Sequence, residues 1–284
     1  MYLKKSKKIS CLLSEKEEKM FDFTNPGYEI IDAHVHPFSC YGDLDTTHLG
    51  GATIDDDFIL ALKGAGISRA AGSVIKRYPA NEFTWEVIHG FNLKALEGRD
   101  RFDNFLIPGI CVHPWYVKES LEEIDYMYHK ENVRFIGELV AYMCHYSNYA
   151  IPEMDPVWDL ANQLGMVVNL HLNNLDEARL ILKKFPDLKL VIAHPTADRR
   201  EYEDRMRLVA KYPNAALDIS GSGPNTWGML RRGINWAGRE KLLFGTDFPI
   251  RNPGMYVAGV LYEKLTDDEN VAIFAGNFKR LMGM

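Results

Sequence analysis

Residues 29–36 read Glu-Ile-Ile-Asp-Ala-His-Val-His, a short apolar run that ends in two histidines one residue apart. Similar runs, rich in Val, Ile and Leu, recur along the chain at residues 69–76, 104–113, 133–140, 166–172, 189–194, 215–220 and 241–248. Nearly continuous hydrophobicity over so few residues is typical of strands that are buried on both faces of a parallel sheet. The sequence therefore predicts eight such strands.

Longer amphipathic segments alternate with these runs. They predict helices at residues 55–63, 81–97, 119–130, 152–164, 175–185, 200–211, 227–237 and 267–282. Eight strands, each followed by a helix, predict a single-domain α/β protein, a (β/α)8 TIM barrel over residues 28–284, with residues 1–27 as a short polar N-terminal extension. A doubly wound open sheet is the alternative, because periodicity alone does not show that a sheet closes.

The composition and charge of the chain argue against several classes of protein. The chain has 284 residues, 46% of them hydrophobic, with 33 basic against 39 acidic side chains and a net charge of −6. This balance argues against a nucleic-acid-binding protein, which needs a basic surface. No signal-peptide pattern and no membrane-length apolar run is found, and the four cysteines form no C-x-x-C pair. We expect a cytoplasmic protein with a small-molecule substrate and free thiols, and a homodimer is compatible with the sequence.

Five of the nine histidines fall at or near the ends of predicted strands: His34, His36, His113, His171 and His194. In a (β/α)8 barrel the carboxyl ends of the strands carry the active site. Residues i and i+2 of a strand share a face, so the first two imidazoles of this set are expected to point to the same place. The histidines are therefore predicted to gather at one rim of the barrel.

Two acidic residues also end strands in this pattern, Glu138 after Phe-Ile-Gly and Asp247 after Phe-Gly-Thr. Asp32 shares the face of His34 and His36, where it is expected either to bind an ion or to orient a ligand. Imidazole and carboxylate ligands without thiolates suit zinc, manganese or iron in an open catalytic site.

The set Asp32-Ala-His34-Val-His36, Gly137-Glu138, His171, His194 and Gly245-Thr-Asp247-Phe-Pro resembles the amidohydrolase superfamily, in its amidohydrolase-2 branch, over residues 29–282. The resemblance implies a metal-dependent enzyme, and the branch includes lactonases and decarboxylases. It implies that His34, His36 and His171 bind the metal and that Asp247 binds it and moves a proton. It also implies that His194 binds a second ion or polarises the substrate.

One stretch, residues 109–115, is similar instead to the TatD-type deoxyribonucleases, which hold a metal through a strand-four glutamate. If Glu138 bridges, two ions are expected, and otherwise one, with zinc as the first choice. His113 is expected to contact substrate or to support the site, and Arg251 to bind an anionic group of the substrate.

Three activities remain open at this point. Hydrolysis of a small carboxylic ester, lactone or amide by metal-activated water is preferred. The alternatives are non-oxidative decarboxylation of an unsaturated or aromatic carboxylic acid, and a TatD-like phosphoesterase or deoxyribonuclease, against which the net charge argues.

Overall fold

A computed structural model describes residues 26–37 and 55–284. Nearly all of the predicted N-terminal extension and most of the loop after the first strand lie outside these residues. In the described part, eight parallel strands form one sheet in sequential order. They are β1 Ile31–Asp32, β2 Arg69–Ser73, β3 Leu106–Ile110, β4 Phe135–Val140, β5 Val167–His171, β6 Lys189–Ile192, β7 Ala216–Asp218 and β8 Leu242–Leu243.

The sheet closes between its first and last strands. The backbone N–H of Ala33 donates to the carbonyl of Phe244 over 2.9 Å, and that of His36 donates to the carbonyl of Phe248 over 2.8 Å. Val35 and Phe248 form a parallel bridge. These contacts join the segments that follow β1 and β8, so the predicted barrel is confirmed and the open doubly wound sheet is wrong.

The helices are α1 Asp55–Gly64, α2 Trp85–Arg101, α3 Val117–His129, α4 Asp155–Gln163, α5 Leu175–Lys184, α6 Arg199–Ala210, α7 Met229–Ala237, α8 Pro253–Tyr262, α9 Asp267–Val271 and α10 Asn277–Met282. A π-helical turn at Ala272–Gly276 joins the last two, so the final predicted helix contains an irregular middle. Helix α8 was not expected. Within the described ranges, no helix is long and apolar enough to span a bilayer.

The barrel interior is filled by one side chain from each strand. These eight residues are Ile31, Ala71, Ile107, Phe135, Val167, Val191, Ala216 and Leu243. Phe278 of α10 packs with them, its ring 6.0 Å from that of Phe135. A packed interior of this kind is typical of (β/α)8 barrels, and it gives the residues at the strand ends a rigid base.

A close approach of β1 and β2 holds the segment that carries the first two histidines. The backbone N–H of Val35 donates to the carbonyl of Ala71 over 3.0 Å. A Cβ atom on Gly72 would lie 1.7 Å from the carbonyl oxygen of Val35, so no larger residue fits without moving the strand. Glycine is therefore required here for the close approach of two backbones.

We expect Gly72→Ala to destabilise the protein by about 3 kcal/mol, at the upper end of the usual range for an overpacked core. Urea unfolding followed by circular dichroism measures this change. The matched control is Gly90→Ala in α2, where an added Cβ meets nothing within 4 Å. That substitution should stabilise the protein by up to about 1 kcal/mol, because alanine favours a helix. Equal effects from the two variants would contradict the packing argument.

Candidate metal centre

Six imidazole and carboxylate side chains converge at the carboxyl end of the barrel. They come from the ends of five strands: His34 and His36 follow β1, Glu138 lies in β4, His171 ends β5, His194 follows β6 and Asp247 follows β8. The parallel topology brings these strand ends to one rim, as the sequence predicted. The structure thus gathers every residue that was expected to bind a metal.

A first group of donor atoms surrounds one point. The Nε2 atoms of His34 and His36 are 3.3 Å apart, and they lie 3.3 and 3.2 Å from Oε2 of Glu138. Oδ1 of Asp247 lies 3.7 Å from the first of these nitrogens and 3.6 Å from the second. One oxygen of Glu138 and one of Asp247 therefore each lie within 3.7 Å of both imidazole nitrogens.

A second group uses the other oxygen of the same glutamate. Oε1 of Glu138 lies 3.1 Å from Nδ1 of His171 and 3.2 Å from Nε2 of His194. The carboxylate of Glu138 therefore faces two imidazoles with each oxygen, and it is buried, with only 3% of its side chain exposed. Glu138 therefore belongs to both groups of donor atoms.

The donor atoms fit divalent cations. Ligands held about 2.0–2.2 Å from a tetrahedral ion lie about 3.4 Å from one another, which is the spacing that the first group shows. Two imidazole nitrogens that face each other without a proton or a cation between them repel, so their convergence favours an ion at the common point. Both groups combine nitrogen and carboxylate donors, which suit zinc, manganese or iron.

Hydrogen bonds fix which nitrogen of each histidine is available. Nδ1 of His34 donates to Oδ2 of Asp218 over 2.9 Å, and Nδ1 of His36 donates to the carbonyl of Ser73 over 3.2 Å. Nδ1 of His194 lies 2.8 Å from the hydroxyl of Ser220. In all three residues Nε2 is therefore left to face the donor group, a common arrangement of metal-binding histidines.

The charges of the site depend strongly on one another. Burial would raise the pKa of Glu138, but the charge of His34 and hydrogen bonds from His171 and His194 hold it well below its ordinary value. Burial would likewise raise the pKa of Asp218, but the neighbouring His34 lowers it to about 2. Burial dominates at Asp247 and raises the pKa of its carboxyl. The carboxylates of Glu138 and Asp218 are therefore held in the ionised form, which attracts a cation.

Asp32 supports the centre without reaching it. One of its oxygens accepts hydrogen bonds from the backbone N–H groups of His34 and Thr246, each over 3.0 Å, and the other accepts the Thr246 hydroxyl over 2.5 Å. These contacts tie the end of β1 to the loop after β8. Of the two roles expected for Asp32, the geometry gives it the orienting one.

Backbone strain marks two residues of the centre. His194 has a φ of 60° and Asp247 a φ of 68°, both in the left-handed region that non-glycine residues seldom adopt. Such conformations cost free energy and are often found at functional sites, where the surrounding structure holds them. The backbone N–H of Asp247 donates to the carbonyl of His34 over 2.8 Å, which helps to fix the conformation.

The two residues expected to contact substrate are not members of the donor groups, although the backbone N–H of Arg251 donates to the carbonyl of Asp247 over 3.3 Å. His113 is buried, its Nε2 donates to the carbonyl of Cys144 over 2.6 Å and its Nδ1 accepts the N–H of Trp115 over 3.1 Å. Both ring nitrogens are thus used within the protein, so of its two expected roles the structure favours support. Arg251 is exposed in the loop after β8, and its contact with substrate stays a prediction.

Sequence reasoning missed the residues that hold the ligands. Asp218 accepts hydrogen bonds from His34 and from Asn169, whose Nδ2 lies 3.0 Å away. Ser220 contacts both His34 and His194. A signal for Asp218 was present, because it ends the apolar run of β7, and Glu138 likewise follows apolar residues within β4.

We expect Asp218→Asn to weaken divalent-cation binding by about 10–100-fold, the usual cost of removing a group that orients a metal-binding histidine. Competition with a fluorescent chelator measures the affinity. Asp198→Asn is the control, since Asp198 caps α6 with its side chain and asparagine caps a helix equally well. Unchanged affinity in Asp218→Asn would show that His34 does not need this partner.

The family of the chain follows from a match to a family model. Residues 31–283 match the model described as amidohydrolase, which covers the whole barrel and every residue of the metal centre. The chain belongs to the amidohydrolase family. It is therefore an enzyme of that superfamily, which agrees with the resemblance seen in its motifs. No curated protein matches this amidohydrolase.

Solved structures share its fold at low sequence identity. An uncharacterized TIM-barrel protein from Bordetella bronchiseptica matches with a TM-score of 0.72 and 17% identity over 90% of this chain and 99% of that one. A dihydroxybenzoic acid decarboxylase from Polaromonas, with manganese and the inhibitor 2-nitroresorcinol, has a TM-score of 0.66 and 15% identity over 90% and 97%. The 5-carboxyvanillate decarboxylase from Novosphingobium aromaticivorans, with manganese and a nitrobenzoic acid, has a TM-score of 0.67 and 12% identity over 91% of this chain and 97% of that one.

Proposed function

We propose that this amidohydrolase is a metal-dependent hydrolase of a small carboxylic ester, lactone or amide, and that it uses two divalent cations. The observation that carries the proposal is the position of Glu138. Each of its oxygens faces two imidazoles, over distances of 3.1–3.3 Å. A buried carboxylate between two donor groups is suited to hold two cations side by side.

The ligand sets follow from the two groups of donor atoms. His34, His36, Glu138 and Asp247 would hold one cation, and Glu138 with His171 and His194 the other. When bound, divalent cations supply a Lewis acid and make water a nucleophile near neutral pH. Zinc is our first choice for this nitrogen and carboxylate set, with manganese or iron as alternatives.

Asp247 is the residue we assign to proton transfer. Its Oδ1 lies 3.7 Å from Nε2 of His34 and 3.6 Å from Nε2 of His36, beside the point where a cation and its water would be held. It lies slightly farther from the imidazoles of the first group than Glu138 does. We assign it to accept a proton from the attacking water and to return it to the leaving group. His194, if only one cation binds, is instead placed to polarise the substrate oxygen.

A second candidate function is non-oxidative decarboxylation of an aromatic carboxylic acid. It is favoured by the solved structures of the same fold, among which are two decarboxylases with bound manganese. A carboxylate substrate would need a cation and an anion-binding group such as Arg251. The same metal ligands would serve hydrolysis and decarboxylation, so the two reactions have to be distinguished by the products that they release.

A panel of substrates tests the two candidates on protein loaded with zinc or manganese. Dihydrocoumarin, phenyl acetate and 4-nitroacetanilide report hydrolysis through acid or nitroaniline release, and 2,6-dihydroxybenzoate reports decarboxylation through CO2 release. We expect hydrolysis of at least one of the first three, with two ions per chain by elemental analysis. CO2 release without hydrolysis would replace the proposal by the second candidate. Cleavage of bis(4-nitrophenyl) phosphate alone would indicate a phosphoesterase.

A further inference from the structure

A groove of about 690 Å³ opens on the same end of the barrel as the metal centre. It lies between the loop after β3 and the loop after β4, which together supply its walls. These are mainly Pro114, Trp115, Tyr142, Tyr146, Ile151 and Glu153. Neither the family match nor the proposed chemistry assigns this groove a role.

Tyr142 joins the groove to the metal centre. Its ring stands edge-on to the ring of His171, with centroids 5.3 Å apart, and the same residue lines the groove. The groove therefore adjoins the second donor group, with Tyr142 in contact with both.

The walls are held in place before any ligand binds. His113 connects both loops, because its Nε2 donates to the carbonyl of Cys144 and its Nδ1 accepts the N–H of Trp115. Its ring also contacts those of Trp115 and Tyr146, with centroids 4.8 and 4.9 Å apart. Burial lowers the pKa of His113 to about 4, so the ring is neutral near pH 7, as this pair of hydrogen bonds requires. A groove clamped in this way is preorganised.

The chemistry of the lining favours a planar uncharged group. Trp115 and Tyr142 expose 53% and 52% of their surfaces, so two aromatic side chains are available for stacking. The lining residues, all of them within the described ranges, include no lysine or arginine, and the carboxylate among them is that of Glu153. The remaining polar lining residues are His145, Ser147 and Asn148, so Glu153 is the charged group that would act against an anion, whereas an uncharged ring would bury apolar surface.

We propose that this groove is the subsite for a planar, uncharged part of the substrate, whose reacting group lies at the metal centre. The inference rests on the proposed function and deepens it. It describes a substrate with two ends, a polar group that meets the cations and an uncharged ring that stacks between Trp115 and Tyr142. Glu153 disfavours a second acidic group on that ring.

Two phosphonates that differ only in the ring test the subsite on zinc-loaded protein by calorimetry. Phenylphosphonate is expected to bind about tenfold more tightly than methylphosphonate, since the ring adds buried apolar area and stacking. Trp115→Ala should reduce this ratio to about 1 without changing the affinity for methylphosphonate. The matched control is Trp227→Ala, an aromatic residue with 76% exposure in a separate groove beside α8, which should keep the full ratio. A full ratio in Trp115→Ala overturns the inference.

A third ligand tests the charge argument. 4-Carboxyphenylphosphonate should bind the wild type about as weakly as methylphosphonate, because its carboxylate cancels the affinity gained from the ring. The Glu153→Gln variant should bind it about as tightly as phenylphosphonate. Equal binding of the charged and uncharged rings to the wild type would overturn the discrimination against acidic rings.

A further measurement separates an error in the proposed function from an error in the assignment of the groove as a subsite. Saturation-transfer NMR on the metal-free protein reports contact of the phenyl protons with the groove, and this signal should also be lost in Trp115→Ala. Phenyl contact together with weak binding of both phosphonates to zinc-loaded protein would count against the proposed function alone. Absence of phenyl contact would count against the groove alone.

Discussion

Replacing Glu138 with glutamine is expected to leave the protein with at most one bound cation and with turnover at the background level. Glu138 contributes one oxygen to each donor group, so a single substitution alters both. Glutamine keeps one oxygen, but it loses the negative charge and presents an amide nitrogen to the other group. We expect cation affinity to fall by more than about 100-fold, beyond the range for residues that only support a ligand.

Elemental analysis after equilibrium dialysis against zinc counts the ions per chain. Glu123→Gln is the matched control, because Glu123 is also a buried glutamate that contacts a histidine, His89, over 2.9 Å, away from the metal centre. It should keep two ions and full activity. If Glu138→Gln still holds two ions, Glu138 does not bridge them and its assigned role is wrong. If the wild type itself holds one ion, the two-cation proposal is wrong.

The positions of the ligands could be predicted because, in a parallel barrel, a residue reaches the common rim whenever it lies at the end of a strand, and strand ends can be located in the sequence. Each strand is marked by its own apolar run, and its last residues must lie at the common rim. His171 and His194 are far from His34 in the chain, yet the rule places all three together, and the structure shows His34 and His194 rings 4.9 Å apart. The bridging position of Glu138 was open, since it depends on the direction of each carboxylate oxygen.

The supporting residues could not be chosen from sequence because their role is defined by contacts across the barrel. Asp218 and Asn169 lie on different strands and meet only inside the closed sheet. Ser73 contributes a backbone carbonyl to His36, and any residue carries such a group. Polar residues at strand ends have many alternative roles, so pattern alone does not separate them from turn residues.

The bounds of the elements were the least accurate part of the prediction. The first apolar run extends over residues 29–36, whereas β1 covers only Ile31–Asp32, because the chain then curves to bring its two histidines to the centre. Helix α8 was missed although Asn252 caps it and Pro253 begins it, which are ordinary signals of a helix start. Its nearly uniform apolar sequence hides the helical period that would have revealed it.

Replacing Asp247 with asparagine is expected to lower kcat by about 100- to 10 000-fold, the contribution of a general base that is positioned at the reacting water. Asparagine has nearly the shape of aspartate and keeps an oxygen for the cation, but it cannot accept the proton. The backbone contact of residue 247 with His34 does not involve the side chain, so the strained loop should be retained. The loss is therefore expected in kcat rather than in KM.

The measurement pairs steady-state kinetics on the hydrolytic substrate with a count of bound cations in the same sample. Glu138 lies 3.2–3.3 Å from the two imidazoles of the first group and Asp247 3.6–3.7 Å, so the glutamate and the histidines should still hold the ion in Asp247→Asn. Retained cations with lost turnover would locate proton transfer at Asp247. Loss of cations together with turnover would make it chiefly a ligand. Full turnover in Asp247→Asn would mean that another group takes the proton, and the assignment of Asp247 would be wrong.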